Sequence, residues 1–581
     1  MRRVAAAALL ALAACASSPA PLPAALEDPG AAVRTLTREY LTAYFEAFPE
    51  RATFAGWPAA DDARMSDHRL RAADAWQLRE DGFWTRLARV DPAALQGADL
   101  VAYELLREHL DVERRMRSCA FELWPARTLA GWHQLVPALG AMQPVGTPEA
   151  RQKAIARWRA LPTYVDGEVE RLRAGLAAGY TAPRASVRAV LVQVDALLAE
   201  GPERSALALP AARDPDPAFG EAIRAVVGGD LRASARRYRA FLADTYLPGA
   251  REPDAITAHH DGDLCYRAAL RRATSLDLTA QALHATGLAQ VDAIEAEMRP
   301  IAARLAPGEP LPEVLERLRT DPRYTFRSRQ AVTERASAAL ARARTALPRW
   351  FAATPAASLE LVPVPEAIEA FAPVGMYRPG GPGRPGTYFV NTGAPERSSV
   401  ADVENTAFHE GVPGHHLQIA LAQERKDAQP LGAYLGQGAF VEGWALYAER
   451  LADEMGLYGG DVDRLGMLSA QAFRAARLVV DPGIHALGWS RQRAVDYLVA
   501  HTVLSREQAT AEVDRYVAWP GQATSYLVGA LEIRKLRAES ERALGPRFDV
   551  RAFHDRVLRD GAVPLPVLRR TVEGWVRAGG T

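Results

Sequence analysis

Residues 404–418 read E-N-T-A-F-H-E-G-V-P-G-H-H-L-Q and hold three of the chain's twelve histidines, His409, His415 and His416. Glu410 follows the first directly. His-Glu opens the H-E-x-x-H pattern, in which one helix face offers two imidazoles to zinc and the glutamate acts as general base. Here the second histidine comes late, as H-E-x-x-x-x-H, with Pro413 and Gly414 inside the interval. Four residues turn a helix by about 400°, so the histidines of H-E-x-x-H share a face. Six residues give roughly 600°, which puts His415 on another face of an unbroken helix. His416, at seven, regains the face but lies about 10 Å along the axis. Pro413 removes an N–H and clashes with the preceding turn, and Gly414 is conformationally free, so the helix is expected to break. If Val412 to Gly414 bulge out as two extra residues, His409 and His415 return to phase. The plain alternative is a surface helix–turn with clustered histidines.

A zinc site needs a third ligand, usually from a later helix. The next acidic candidate in a helical pattern is Glu442, in V-E-G-W-A-L-Y-A-E-R-L (441–451). Val441, Ala445, Leu446, Ala448 and Leu451 mark one buried face, and Glu449 shares a side with Glu442. His409, His415 and Glu442 make a His₂Glu set that leaves one position for water. Taken alone, Glu442 reads as a solvated charge at a helix start.

H-E-G-V-P-G-H-H-L-Q and E-G-W-A-L-Y-A-E resemble the bacterial domain-of-unknown-function 885 family, a gluzincin-like group. E-G-W-A is also similar to the E-G-F-A ligand segment of zinc aminopeptidases. The resemblance runs from about residue 31 to the C-terminus, and P-E-R-A-T-F-A-G-W (49–57) and W-P-G-Q-A-T-S-Y (519–526) belong to it. It implies a mainly α-helical zincin fold, zinc on His409, His415 and Glu442, and Glu410 as base. It gives no substrate.

Composition agrees with a globular chain. The 581 residues are 49% hydrophobic and 24% charged, with zero formal net charge, which gives no support for nucleic-acid binding. Residues 1–15 have Arg2 and Arg3 before a short apolar core and read as a signal peptide. Leu12-Ala13-Ala14-Cys15 resembles a lipobox, with Cys15 lipidated, against the alternative of an ordinary cleaved signal. Residues 16–30 read as a flexible tether. The expected location is the bacterial envelope, on the periplasmic face of the outer membrane. Residues 31–355 read as a helical region walling a cleft, and 356–581 as the zinc-binding region, continuous with it. Pro312 and Pro322 bracket one helix. Gly561 and Pro564 separate two more, with His554 structural. Cys119 and Cys265 fall in helical patterns and read as buried free thiols. His259 and His260 read as an exposed inter-helix loop.

Between 352 and 400 the composition turns to Pro and Gly. Gly381, Gly383 and Gly386 fit G-x-G-x-x-G, but the strand-like T-Y-F-V-N (387–391) follows where a dinucleotide site needs a helix. Tyr388 to Asn391 read instead as a strand edge that pairs with extended substrate. Farther on, Arg474, Arg477, Asp481 and His485 are polar groups in an apolar run. They read either as a structural Arg–Asp network or as substrate contacts, with a peptide's terminal carboxylate as partner of Arg474 or Arg477. Tyr526 or His485 is a candidate donor to a tetrahedral oxyanion. No G-x-S-x-G elbow and no Walker A loop compete. The expected activity is zinc-dependent hydrolysis of short peptides, Glu410 taking water's proton and passing it to the leaving amine. The alternatives are a zinc hydrolase of a non-peptide amide and a degenerate zincin serving as an envelope binding protein.

Overall fold

The computed structural model describes residues 28–366, 369, 372–381, 384–425 and 430–580. Cys15, the signal segment and most of the tether lie outside the described residues. The tether ends sooner than expected, because Asp28 caps a helix over Pro29–Ala47 by accepting from the Ala31 N–H at 2.8 Å, with Pro29 at the first turn. That helix buries Val33, Leu36, Tyr40 and Leu41, the three-to-four-residue spacing of an amphipathic face. Pro312 stands in the first turn of Leu311–Thr320, which stops before Pro322. Gly561, at φ +71°, separates Val550–Leu558 from Leu565–Arg577.

The protein is mainly α-helical with one small sheet. Eight helices position the site: α1 (Ala280–Leu305), α2 (Arg329–Trp350), α3 (Val400–Glu410), α4 (His415–Glu424), α5 (Gly438–Glu454), α6 (Asp461–Ala486), α7 (Arg506–Ala518) and α8 (Ser525–Leu544). Long α6 lies against α1, so closely that a Cβ on Gly287 would stand 2.8 Å from Leu478 Cβ. Helices α5 and α8 cross at Gly443 and Gly529, backbone on backbone; a side chain at Gly529 would run into the Ala439 carbonyl. One hydrophobic core runs from Val33 to Trp575, so the early helices and the later ones bury surface together. No helix among the described residues is long and apolar enough to cross a membrane.

The strands are β1 (Leu359–Pro363), β2 (Gly375–Arg378) and β3 (Gly386–Val390), in the order β1-β3-β2. Strand β3 runs parallel to β1 and antiparallel to β2. T-Y-F-V does form a strand, as its β-branched and aromatic residues favour. It is the central strand, however, with both hydrogen-bonding edges occupied. Tyr388 therefore cannot offer backbone to an incoming peptide, and the edge assignment is corrected.

Two other expectations are overturned. Cys119 and Cys265 form a disulfide, S–S 2.09 Å, joining the turn after Gly97–Met116 to the helix Gly262–Thr274. Helical patterning places each cysteine but says nothing of their approach across 146 residues. His259 is not exposed: it is 7% accessible, its Nε2 lying 2.9 Å from the Thr181 carbonyl and 2.7 Å from Arg251. His260 alone keeps the exposed position.

Candidate metal centre

Ser399 caps α3 by accepting from the Ala401 N–H, and α3 then runs to Glu410. The helix stops because the next four residues fold back on its end. A Cβ at Gly411 would meet Leu340 and the Ala407 carbonyl, and one at Gly414 would overlap the carbonyl oxygens of Phe408 and His409. Only glycine fits at either place. The Pro413 carbonyl accepts from Trp444 Nε1 at 3.0 Å, which ties the reversal to α5. Chain direction is recovered when the His416 N–H donates to Gly411 O, and α4 starts at His415. The expected bulge is therefore a complete break between two helices. Its effect is the expected one: the rings of His409 and His415 stand 4.8 Å apart, nearly perpendicular.

Glu442 on α5 closes the group. Its Oε2 lies 3.6 Å from Nε2 of His409 and 3.6 Å from Nε2 of His415, and one ligand atom from each residue falls within 4.8 Å of the others. Two ligand atoms on a tetrahedral zinc stand about 3.4 Å apart, so the donor set and its spacing fit that ion. His416 does not belong to it. Its Nε2 donates to Ala357 O and its Nδ1 accepts from the Tyr377 hydroxyl, each at 3.1 Å, so it fastens α4 to the sheet.

Behind the group stands Glu449. Glu442 keeps a quarter of its side chain exposed, whereas Glu449 is fully buried. The His409 Nδ1–H donates to Glu449 Oε1 at 2.8 Å, and Gln471 Nε2 donates to Oε2 at 2.8 Å. This bond fixes the imidazole tautomer with Nε2 free toward the centre. Burial lowers the His409 pKa, but the nearby carboxylates of Glu442, Glu449 and Glu410 outweigh it and push the ring up to about 10. One buried and one partly exposed carboxylate thus favour a positive charge between them. His415 Nδ1 and, one turn later, Gln418 Oε1 are buried with no partner among the described residues.

Glu410 ends α3, partly exposed, in one stripe with Asp402 and Thr406. Its carboxylate makes no hydrogen bond among the described residues. The Tyr388 hydroxyl is buried without a partner, its pKa pushed well up by burial and then by the Glu410 charge. Tyr388 therefore backs α3 from the sheet. Asn391 is also engaged elsewhere: its Nδ2 donates to the Glu369 and Ala372 carbonyls and its Oδ1 accepts from Gly393.

The polar run on α6 divides. His485 is fully buried, accepting from the Ile256 N–H at Nδ1 and donating to Tyr516 O from Nε2. Burial pushes its ring down to about 4. Both nitrogens are spent on backbone, so His485 is no oxyanion donor. Asp481 accepts from the Tyr266 hydroxyl and the Gly521 N–H rather than from arginine, and burial pushes it up to about 7. Arg477 lies between the rings of Phe473 and Tyr526, 4.1 and 4.6 Å from their centres, with Nη2 on Glu512. Arg474 shares the ring of Phe473. Tyr526 sits one turn before Gly529, at the crossing that carries Glu442 beside Gly443.

Residues 49–572 match a family described as "Bacterial protein of unknown function (DUF885)". The chain belongs to this family. The DUF885 chain shares its fold with a crystal structure described as "the putative lipoprotein from Colwellia psychrerythraea", at TM-score 0.87 and 24% identity over 94% of this chain and 99% of that one. A second similar structure, of "a putative lipoprotein of unknown function from Shewanella oneidensis", aligns at TM-score 0.73 and 17% identity over 93% and 99%. No curated protein matches the DUF885 chain.

Glu449 and Gln471 are the supporting residues that the sequence left unassigned. Glu449 showed one usable signal, its seven-residue spacing from Glu442. Gln471 showed none, because it acts from another helix.

Proposed function

We propose that this chain is a zinc-dependent, zincin-type peptidase acting on short peptides from a lipid anchor in the bacterial envelope. The observation that carries the reading is the convergence of His409, His415 and Glu442, with Glu410 at the rim and Glu449 behind. Zinc bound by those three residues would supply Lewis acidity toward a scissile carbonyl and acidify water. Glu410, with no hydrogen bond to break among the described residues, is free to accept a proton from water and return it to the leaving amine. Glu449 holds the His409 ring. The Tyr526 phenol donates to the oxygen that gains charge at the tetrahedral stage. The helices before residue 355 wall the cleft, which favours unstructured peptides over folded domains.

The test is a digest of a mixed oligopeptide pool, read by mass spectrometry, beside a folded globular protein at one zinc concentration. Cleavage of the pool alone, abolished by chelation and restored by zinc, is the expected result. Cleavage of the folded protein rejects the walled cleft; an inert pool with zinc bound rejects the peptidase.

The anchor rests on L-A-A-C at 12–15 and on the lipoprotein descriptions of the two similar structures. A lipoprotein's several acyl chains hold a protein to a bilayer where a single chain does not. Cys15→Ala is expected to abolish acylation and move the protein to the soluble fraction, followed by metabolic labelling with a clickable fatty acid. An unlabelled wild type would reject the anchor.

A further inference from the structure

We propose that the cleft recognises a free C-terminal carboxylate through Arg474 and Arg477, which makes the enzyme a C-terminal exopeptidase. This rests on the peptidase reading and narrows it. The two guanidinium groups lie over the ring of Phe473, one turn apart on α6. Arg474 has no ion pair within 4 Å among the described residues. Its Nη1 reaches only Ala470 O of its own helix, at 3.3 Å, and its Nε is buried without an acceptor. Arg477 is 6% exposed. Its Nε and Nη2 are taken by the Tyr516 hydroxyl and Glu512, while Nη1 is buried and free. Glu512 is shared, since Arg515 Nη2 also reaches it at 3.1 Å. One carboxylate therefore serves two arginines, and Arg474 is left over.

The neighbouring anions do not resolve this. Glu449 feels the charge of Arg474, but its oxygens bond His409 and Gln471. Asp402 senses the charge of Arg474 but makes no ion pair with it, and burial pushes its carboxyl up to about 6. A half-buried guanidinium with open donors is costly unless an anion completes it. The planar fork of arginine matches a carboxylate with two parallel hydrogen bonds. The place suits a substrate terminus. Gln471, one turn before Arg474, reaches Glu449, which holds the metal ligand His409, so the receptor lies about one helical turn from the metal's support. A receptor on the helix that supports the metal ligand would read the substrate terminus close to the scissile bond, where each extended residue covers about 3.3–3.6 Å. Water then adds across the C–N bond, hydroxyl to the acyl carbon and proton to the amine. It leaves a shortened peptide with a new carboxylate and frees an amino acid or dipeptide.

The experiment compares three peptides of one length on the zinc-loaded protein: a free acid, its C-terminal amide, and the same amide with Glu substituted at the last position. The free acid is expected to show kcat/KM about a hundredfold above the amide, with products from the C-terminus only. Arg474→Gln should erase that difference, and Arg474→Lys should restore part of it. Equal cleavage of acid and amide, or full rescue by the Glu side chain, overturns the proposal and leaves the peptidase standing. A second measurement needs no turnover. Calorimetry of Gly-Phe against Gly-Phe-amide on zinc-loaded Glu410→Gln should show the acid binding more tightly, and the preference lost when Arg474→Gln is added. Equal binding of the two overturns the proposal even where every peptide is inert.

Discussion

Glu410→Gln is expected to keep the metal and lose turnover, whereas Glu442→Ala is expected to lose the metal itself. The two residues differ in what they touch. Glu442 places an oxygen 3.6 Å from both imidazole Nε2 atoms, so removing it takes away one of the three proposed ligands and leaves two histidines that cannot close a tetrahedral site. Among the described residues Glu410 lies outside that group, and in the proposed mechanism it transfers the proton, a role worth about a hundred- to ten-thousandfold in rate. Glutamine keeps the shape and removes the basic oxygen. Metal content by mass spectrometry, read beside peptide turnover, separates the roles. An empty site in Glu410→Gln would make Glu410 a ligand and reverse the assignment.

The second large effect concerns folding. Cys119→Ser with Cys265→Ser should lower stability by about 4–5 kcal/mol in the chain-entropy account, since the bridge closes a loop across a separation of 146 residues. Urea unfolding of the oxidised wild type against the double variant checks this. An unchanged midpoint would mean that packing alone holds the helix Gly262–Thr274 against the turn at Cys119. A bond of this kind persists in oxidising compartments, in keeping with a protein exported from the cytoplasm.

What could be read from the sequence was local. Pro413 and Gly414 announce a break in any helix that contains them, and the break decides between His415 and His416. Glu442 could be found because a ligand was missing and one amphipathic segment followed at short range. Longer-range facts were not legible. Nothing in T-Y-F-V-N says whether a strand lies at the centre of a sheet or at its edge; that depends on Leu359–Pro363 and Gly375–Arg378, which are only five and four residues long. His485 looked available because its partners, the Ile256 N–H and the Tyr516 carbonyl, are backbone groups remote in sequence. The same holds for Cys119 and Cys265, and for Gln471 behind Glu449.

The glycine crossing of α5 and α8 has a bearing on how such a protein can change over generations. Gly443 and Gly529 press backbone to backbone, with Glu442 beside the one and Tyr526 a turn from the other. A larger residue at either glycine prises the helices apart and carries the proposed metal ligand and the phenol away together. In the proposed mechanism, a change at this crossing would therefore disturb both groups together rather than one of them.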